Sequence, residues 1–135
     1  MRLVVRLVVV ALAALVALSA GTMVASESGE VVVLRTTDAA GEPHETRLWI
    51  VEDGGRTWLR AGNDGAGWFV ALRERPDVTV VRDGNPRDVR AVPDVPAREQ
   101  LNALMNEKYG WADSYIGFFF GRDDAIPVRL EPRAR

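Results

Sequence analysis

A strand-like run in the middle of the chain, Arg56–Ala61, enters the loop Ala61-Gly62-Asn63-Asp64-Gly65, and a short helix follows from near Trp68. The first N–H groups of a helix have no partner within it, so a loop in this place can hold an anion such as a phosphate. Asn, Asp and Gly are also the ordinary residues of a plain turn, and that reading stands beside the first. Three arginines, Arg35, Arg47 and Arg60, lie on neighbouring strand-like segments. A guanidinium presents a planar fork of donors suited to bidentate recognition of phosphate. Taken singly, a strand arginine is more often a surface residue paired with an acid. Further on, Tyr109, Trp111 and Tyr115 precede the run Phe118–Phe120. Flat rings suit a planar ligand, and a tyrosine hydroxyl can donate a hydrogen bond to a group that is being reduced. Core packing, or a surface resting on lipid, would use the same rings.

Other chemistries are excluded or left unsupported. The chain has no cysteine and one histidine, His44. Disulfides and thiolate chemistry are therefore absent, and neither a transition-metal site nor a Ser–His–acid set can be argued from one histidine. Residues 27–135 hold 15 basic against 19 acidic side chains, a formal charge of −4, with Lys108 the one lysine. Nucleic-acid binding leaves a basic footprint, which this composition lacks.

Residues 1–26 differ from the rest. Arg2 and Arg6 lead into Leu7–Ala25, 19 residues with no charge and only Ser19 and Thr22 as polar side chains. A bilayer core needs about 20 apolar residues, so an uncleaved anchor is favoured. The arginines before it and Glu27 and Glu30 after it place the domain outside the cytoplasm. A signal peptide with cleavage after Leu18-Ser19-Ala20, giving a secreted or periplasmic domain, is the alternative. Residues 27–135 then form one domain of ordinary size.

The elements that must position the site follow from period and turns. Glu30–Thr37 is β-branched. His44–Glu52 alternates, with Thr46, Leu48 and Ile50 on one side and Arg47, Trp49 and Val51 on the other. Large apolar groups on both sides suit a barrel strand covered by a helix. Asp53-Gly54-Gly55 and Asp83-Gly84-Asn85-Pro86 are hairpin turns. In Gly67–Glu74, Trp68, Ala71 and Leu72 make one apolar helix face. Ala97–Tyr109, ended by Gly110, and Trp111–Phe120 are further helices, and Ala125–Glu131 is a last strand. About six short, mostly antiparallel strands with two or three helices predict an α+β domain built as a closed or nearly closed barrel.

In this order the segments resemble the split β-barrel flavin and deazaflavin oxidoreductases, most nearly the deazaflavin-dependent nitroreductase or quinone-reductase family. The resemblance spans Val31–Pro132. It is carried by Leu34-Arg35-Thr36-Thr37, the hairpin Trp49–Leu59, the loop Ala61–Gly65, and Trp68-Phe69 with Leu72 and Pro76-Asp77-Val78-Thr79-Val80. Tyr109 and Tyr115 followed by Ile126-Pro127-Val128-Arg129-Leu130-Glu131-Pro132 complete it. It implies a deazaflavin coenzyme or FMN held by Arg35, Thr37, Arg60, Asn63, Asp64 and Gly65, with Trp68 beside the ring system. It also implies hydride transfer to a planar acceptor, a quinone or nitroaromatic, served by Tyr109 and Tyr115, and a homodimer as in many relatives. One place departs from the family. Where it carries a basic pair and a small hydroxyl residue, this chain reads Asp38-Ala39-Ala40, and an aspartate repels a phosphate. Asn63 also stands where a lysine is common. A barrel that binds a lipid-like or tetrapyrrole ligand, or a partner protein, without turnover is the second reading.

Overall fold

The computed structural model describes residues 1–26 and 29–133. Helix α1, Arg2–Ser26, precedes β1 (Val31–Thr37), β2 (Pro43–Asp53) and β3 (Arg56–Ala61). Helix α2, Gly67–Glu74, leads to β4 (Asp77–Arg82) and β5 (Asn85–Pro93). A single 3-10 turn, Val95–Ala97, enters α3 (Arg98–Tyr109), and α4 (Trp111–Phe120) precedes β6 (Ile126–Pro132). The strands close in the order β1-β2-β3-β6-β5-β4, every pair antiparallel. This is the barrel that the spacing predicts, with three helices besides the N-terminal one.

Local chemistry fixes the two tight hairpins. Asp53 pairs with Arg56 and Arg82 with Asn85, so each loop has two residues. Gly54 and Gly55 have φ of 58° and 80°, and Asp83 and Gly84 have 51° and 76°. Two successive positive φ values match the right-handed twist of the flanking strands. Glycine adopts them freely, and aspartate is among the few other residues that tolerate them.

The barrel interior follows the period of two. Val32, Leu34, Ile50, Leu59, Val80 and Val128 are each at most 5% exposed and meet in one cluster. Trp68, Phe69 and Leu72 of α2 join that cluster, so α2 belongs to the barrel core. The opposite faces of β2 and β3 carry a second cluster. Val51 and Trp58 pack there against Leu101, Met105 and Tyr109 of α3. The β2 alternation is thus resolved as expected, Ile50 inward and Val51 outward under a helix. Helix α3 begins one residue later than its sequence pattern suggests, because Val95-Pro96-Ala97 takes the tighter 3-10 turn. Gly110, at φ 55°, ends α3 and turns the chain into α4.

Candidate functional site

The outer face of β2 and β3 and the helices above it enclose a cleft of about 170 Å³. Arg47 and Trp49 reach it from β2, Arg60 from β3, Met105 from α3 and Ile116 from α4, with Arg122 just beyond α4. Arg47 and Trp49 are two apart on one strand, and Arg60 is two from Trp58, so strand alternation puts all of them on the helix-covered face.

Beneath the cleft lies a buried ion network. Asp113 of α4 is 5% exposed. It accepts a hydrogen bond from Arg60, whose side chain is equally buried, and another from Arg122 Nη2 at 2.7 Å. Arg60 Nη1 also donates to Asn102 Oδ1 at 3.2 Å, and Asn106 Nδ2 approaches the second carboxylate oxygen at 3.4 Å. Burial alone would raise the Asp113 carboxyl. The hydrogen bond and charge of Arg60, reinforced by Arg122, overcome this and hold it below the usual range. Burial, then the charge of Arg122, lowers Arg60, against the pull of Asp113. Two guanidiniums on one carboxylate leave a surplus positive charge, and Arg122 Nε is buried without an acceptor. A buried cation without full compensation is costly, and an anion in the cleft would relieve it.

Of the residues expected to form the site, the structure brings Arg47 and Arg60 together and adds Arg122 and Asp113. Arg35 is exposed and tied to Glu45 at 3.1 Å, and it does not line the cleft. Thr37 lies at the end of β1 opposite Pro43. Asn63, Asp64 and Gly65 are exposed, and Asn63 Oδ1 takes the Gly65 N–H at 2.9 Å, which is the plain-turn geometry. Trp68 is 9% exposed and sits edge-on to Phe69 in the barrel core. Asp38, in the place of the family's basic pair, closes its own turn. Its Oδ1 accepts the N–H groups of Ala40 and Glu42 at 2.9 and 3.0 Å, and Oδ2 lies 2.7 Å from His44 Nε2. The turn presents a carboxylate held in its charged form by His44 and the Glu42 N–H. The Asp38 carboxylate at this turn repels a phosphate, whereas the arginines lie together at the cleft.

Tyr109 is buried and its hydroxyl is fully used. It accepts the Ile50 N–H at 2.9 Å and donates toward the carbonyl of Glu30 at 2.6 Å or of Ile50 at 3.0 Å. Its ring stacks on Trp49 at 4.3 Å between centroids. Burial pushes the phenol up, so it stays neutral. Tyr115 lies against Phe119, and its hydroxyl reaches the Leu18 carbonyl of α1 only at 3.4 Å.

Asp113 and Arg122 lie outside the residues expected to form the site, yet the sequence carries a signal for them. A carboxylate inside the apolar helix Trp111–Phe120 has to find a buried partner, and Arg122 follows nine residues on.

Glu30 anchors the start of β1. It binds Arg82 at 2.8 and 3.0 Å and Lys108 at 2.6 Å, while Lys108 also donates to the Ile50 carbonyl at 2.7 Å. The hydrogen bonds of Arg82 and then Lys108 hold its carboxyl down to about 2, from 4.5. A depressed carboxyl contributes stability above its unfolded value and loses it as pH falls. Stability is therefore expected to drop between pH 4.5 and about 2. Glu30→Gln should flatten that part of the profile and cost on the order of 1 kcal/mol at neutral pH, the pair being partly exposed. Thermal unfolding of both proteins across that pH range checks this.

A larger concavity, about 740 Å³, opens at the barrel mouth. Ile50, Val80 and Leu130 line its apolar part, and Arg82 and Arg87 its polar part.

No family model matches the sequence, and no curated protein matches it. Solved structures share the fold. The chain is similar to HutZ, the haem storage protein from Vibrio cholerae, at 19% identity and a TM-score of 0.61, over 82% of this chain and 86% of that one. It is similar to an F420-H2 dependent reductase, FDR-A, at 22% identity and 0.59, over 76% and 94%. A conserved protein from Mycobacterium tuberculosis, Rv2991, matches at 20% and 0.58, over 86% and 79%. The protein is a split β-barrel, the fold that the family resemblance implies.

Proposed function

We propose that this domain is a flavin- or deazaflavin-dependent oxidoreductase held at a membrane by α1, passing a hydride to a planar acceptor of the quinone or nitroaromatic kind. One observation carries the reading: Arg47, Arg60 and Arg122 converge on one cleft, where Arg60 and Arg122 share the Asp113 carboxylate and Arg122 Nε is buried without an acceptor. That donor set suits the anionic arm of such a cofactor. The fold shared with an F420-H2 dependent reductase supports the same reading. When bound, the cofactor supplies the hydride, and the protein supplies position and electrostatics.

Arg47 and Arg122 bind the anionic arm, and Asp113 fixes the Arg60 and Arg122 guanidiniums. Met105 and Ile116 exclude water from the cleft. Tyr115 packs on α1 and not into the cleft, so as a donor it would serve an acceptor on the α1 side of α4, while Tyr109 stacks on Trp49 at the cleft wall. At about 170 Å³ the cleft takes a phosphate-sized group but is well under the roughly 300–1,000 Å³ of whole ligand sites. A ring system therefore needs a further wall, and we assign it to a second copy of the chain. A structure of this fold that is a domain-swapped dimer, at 21% identity and a TM-score of 0.59, supports that assignment.

The test is a fluorescence titration of the full chain in detergent micelles with FMN and, separately, with the deazaflavin coenzyme. Micromolar binding of one is expected. Arg47→Ala should weaken it by about 10- to 100-fold, the loss of one charge-assisted contact, while Asn63→Ala changes it little. Binding of neither cofactor overturns the reading.

A non-catalytic binding module is favoured by a different observation. The barrel-mouth concavity has the volume of a ligand site, with an apolar floor and three arginines, Arg82, Arg87 and Arg133, beside Asp88, while the turn at Asp38 lacks the basic pair of the family it resembles. An anionic amphiphile bound by a protein that retains no flavin would support it.

A further inference from the structure

Helix α1 reaches a mean hydropathy of 2.7 within Arg2–Ala25, and apolar side chains such as Leu12, Leu15 and Val16 are about 57–67% exposed. One face is different. Leu18, Gly21 and Thr22 are half-buried and Ala25 is fully buried, a spacing of i, i+3, i+4 and i+7. This stripe docks on α4. The Tyr115 ring lies so close to Gly21 that a Cβ there would meet its hydroxyl oxygen at 2.3 Å. Ser19 and Thr22 return their hydroxyls to the carbonyls of Leu15 and Leu18 at 2.9 and 2.8 Å, so neither adds an unpartnered polar group to the helix.

Helix α4 has two faces. Ala112 and Asp113 are buried toward the domain, and Ile116 lines the arginine cleft. On the other side Trp111 is 60% exposed, Phe118 83% and Phe119 48%, and Phe120, 65% exposed, stands at the C-terminal end of the helix. Four large rings in water, continuous with a helix of bilayer length, form an apolar surface of the kind that marks an interaction site.

The geometry points to α4 as a second membrane contact, with Trp111 and Phe118–Phe120 seated in the interfacial layer of the bilayer that α1 crosses. The inference rests on the anchoring part of the function proposed above. Depth supports it. Leu18 and Gly21 precede Ala25 by seven and four residues, or about 10 and 6 Å along the helix axis. A helix packed at that level lies within the roughly 5–10 Å to which interfacial helices sink. Tryptophan and large apolar rings are the side chains that such a helix presents there. The flanking Asp123 and Asp124 are exposed and acidic, so the contact is apolar and needs no anionic lipid. Helix α4 is then the partition between the bilayer and the arginine cleft.

The chain has no cysteine, so single labels are clean. Phe118→Cys and Glu99→Cys, the latter at the far end of α3, would each carry an environment-sensitive fluorophore in full-length protein reconstituted into phosphatidylcholine nanodiscs. Phosphatidylcholine spin-labelled near the headgroup end of its acyl chain is expected to quench the label at 118 several-fold more than the one at 99. Aqueous iodide should show the reverse order. Equal iodide quenching of both labels in membrane-retained protein overturns the inference and leaves the anchor standing. Protein that alkaline carbonate strips from membranes before reconstitution overturns the anchor, and the inference with it.

Discussion

Asp113→Ala should lower the unfolding free energy by about 3–5 kcal/mol, the cost of removing one partner from a buried ion cluster. The carboxylate is the single anion between Arg60 and Arg122 among the described residues of this network. Without it two guanidiniums face each other in a site from which water is largely excluded. The amides of Asn102 and Asn106 can accept or donate hydrogen bonds but carry no charge. A fall in Tm on the order of 15 °C, read by circular dichroism on the full chain in micelles, is expected. Asp113→Asn should lose nearly as much, because it restores shape and not charge. The triple variant Arg60→Met, Asp113→Leu and Arg122→Met should recover a large part, since an apolar cluster of similar volume often replaces a buried ion cluster without loss. A cost below about 1 kcal/mol for Asp113→Ala would show that the network is hydrated and not buried.

Tyr109→Phe is expected to cost about 1–3 kcal/mol, although it deletes only an oxygen. That oxygen accepts the buried Ile50 N–H and ties the Glu30 carbonyl across from β1. Phenylalanine keeps the stack on Trp49 and leaves the N–H without a partner. Tyr109→Ala also removes the ring from the cluster with Leu101 and Met105, and should cost about 3–5 kcal/mol. The Phe variant also separates two roles. If Tyr109 is a structural post, oxidation of reduced cofactor per folded molecule is unchanged by Tyr109→Phe while the denaturation midpoint falls. Unchanged stability with turnover lost would return Tyr109 to the catalytic part that the resemblance gives it.

Local features of the fold were legible in the sequence because they are encoded within a few residues. Asp53-Gly54-Gly55 and Asp83-Gly84 announce positive-φ hairpins, and the alternation of β2 places Ile50 and Val51 on opposite sides of the barrel wall. The aromatic and apolar spacing of α2 shows a buried face, although the inclusion of Phe69 reflects packing into the barrel and not helix period. Closure was legible only as an architecture. The pairings β1–β4 and β3–β6 join segments far apart in sequence, and no local pattern selects them. The site was harder for the same reason. Arg35, Arg47 and Arg60 look alike as strand arginines, yet Arg35 meets an exposed glutamate and Arg60 a buried aspartate 53 residues away. Strand parity with Trp49 and Trp58 distinguishes the covered face. Identifying Asp113 as the partner requires knowing that α4 folds over that face.

If α1 anchors the domain as proposed, strand closure has a consequence for copies held in two dimensions. Copies anchored in one bilayer meet far more often than the same number of copies in free solution, and they meet in a fixed orientation. An open sheet in that setting would offer its neighbours a row of unpaired backbone groups, the template from which fibrillar aggregates grow. Here β1 and β6 are each paired on both sides, and every strand is bonded to two others. Copies held so would meet through side-chain surfaces and not through open strand edges.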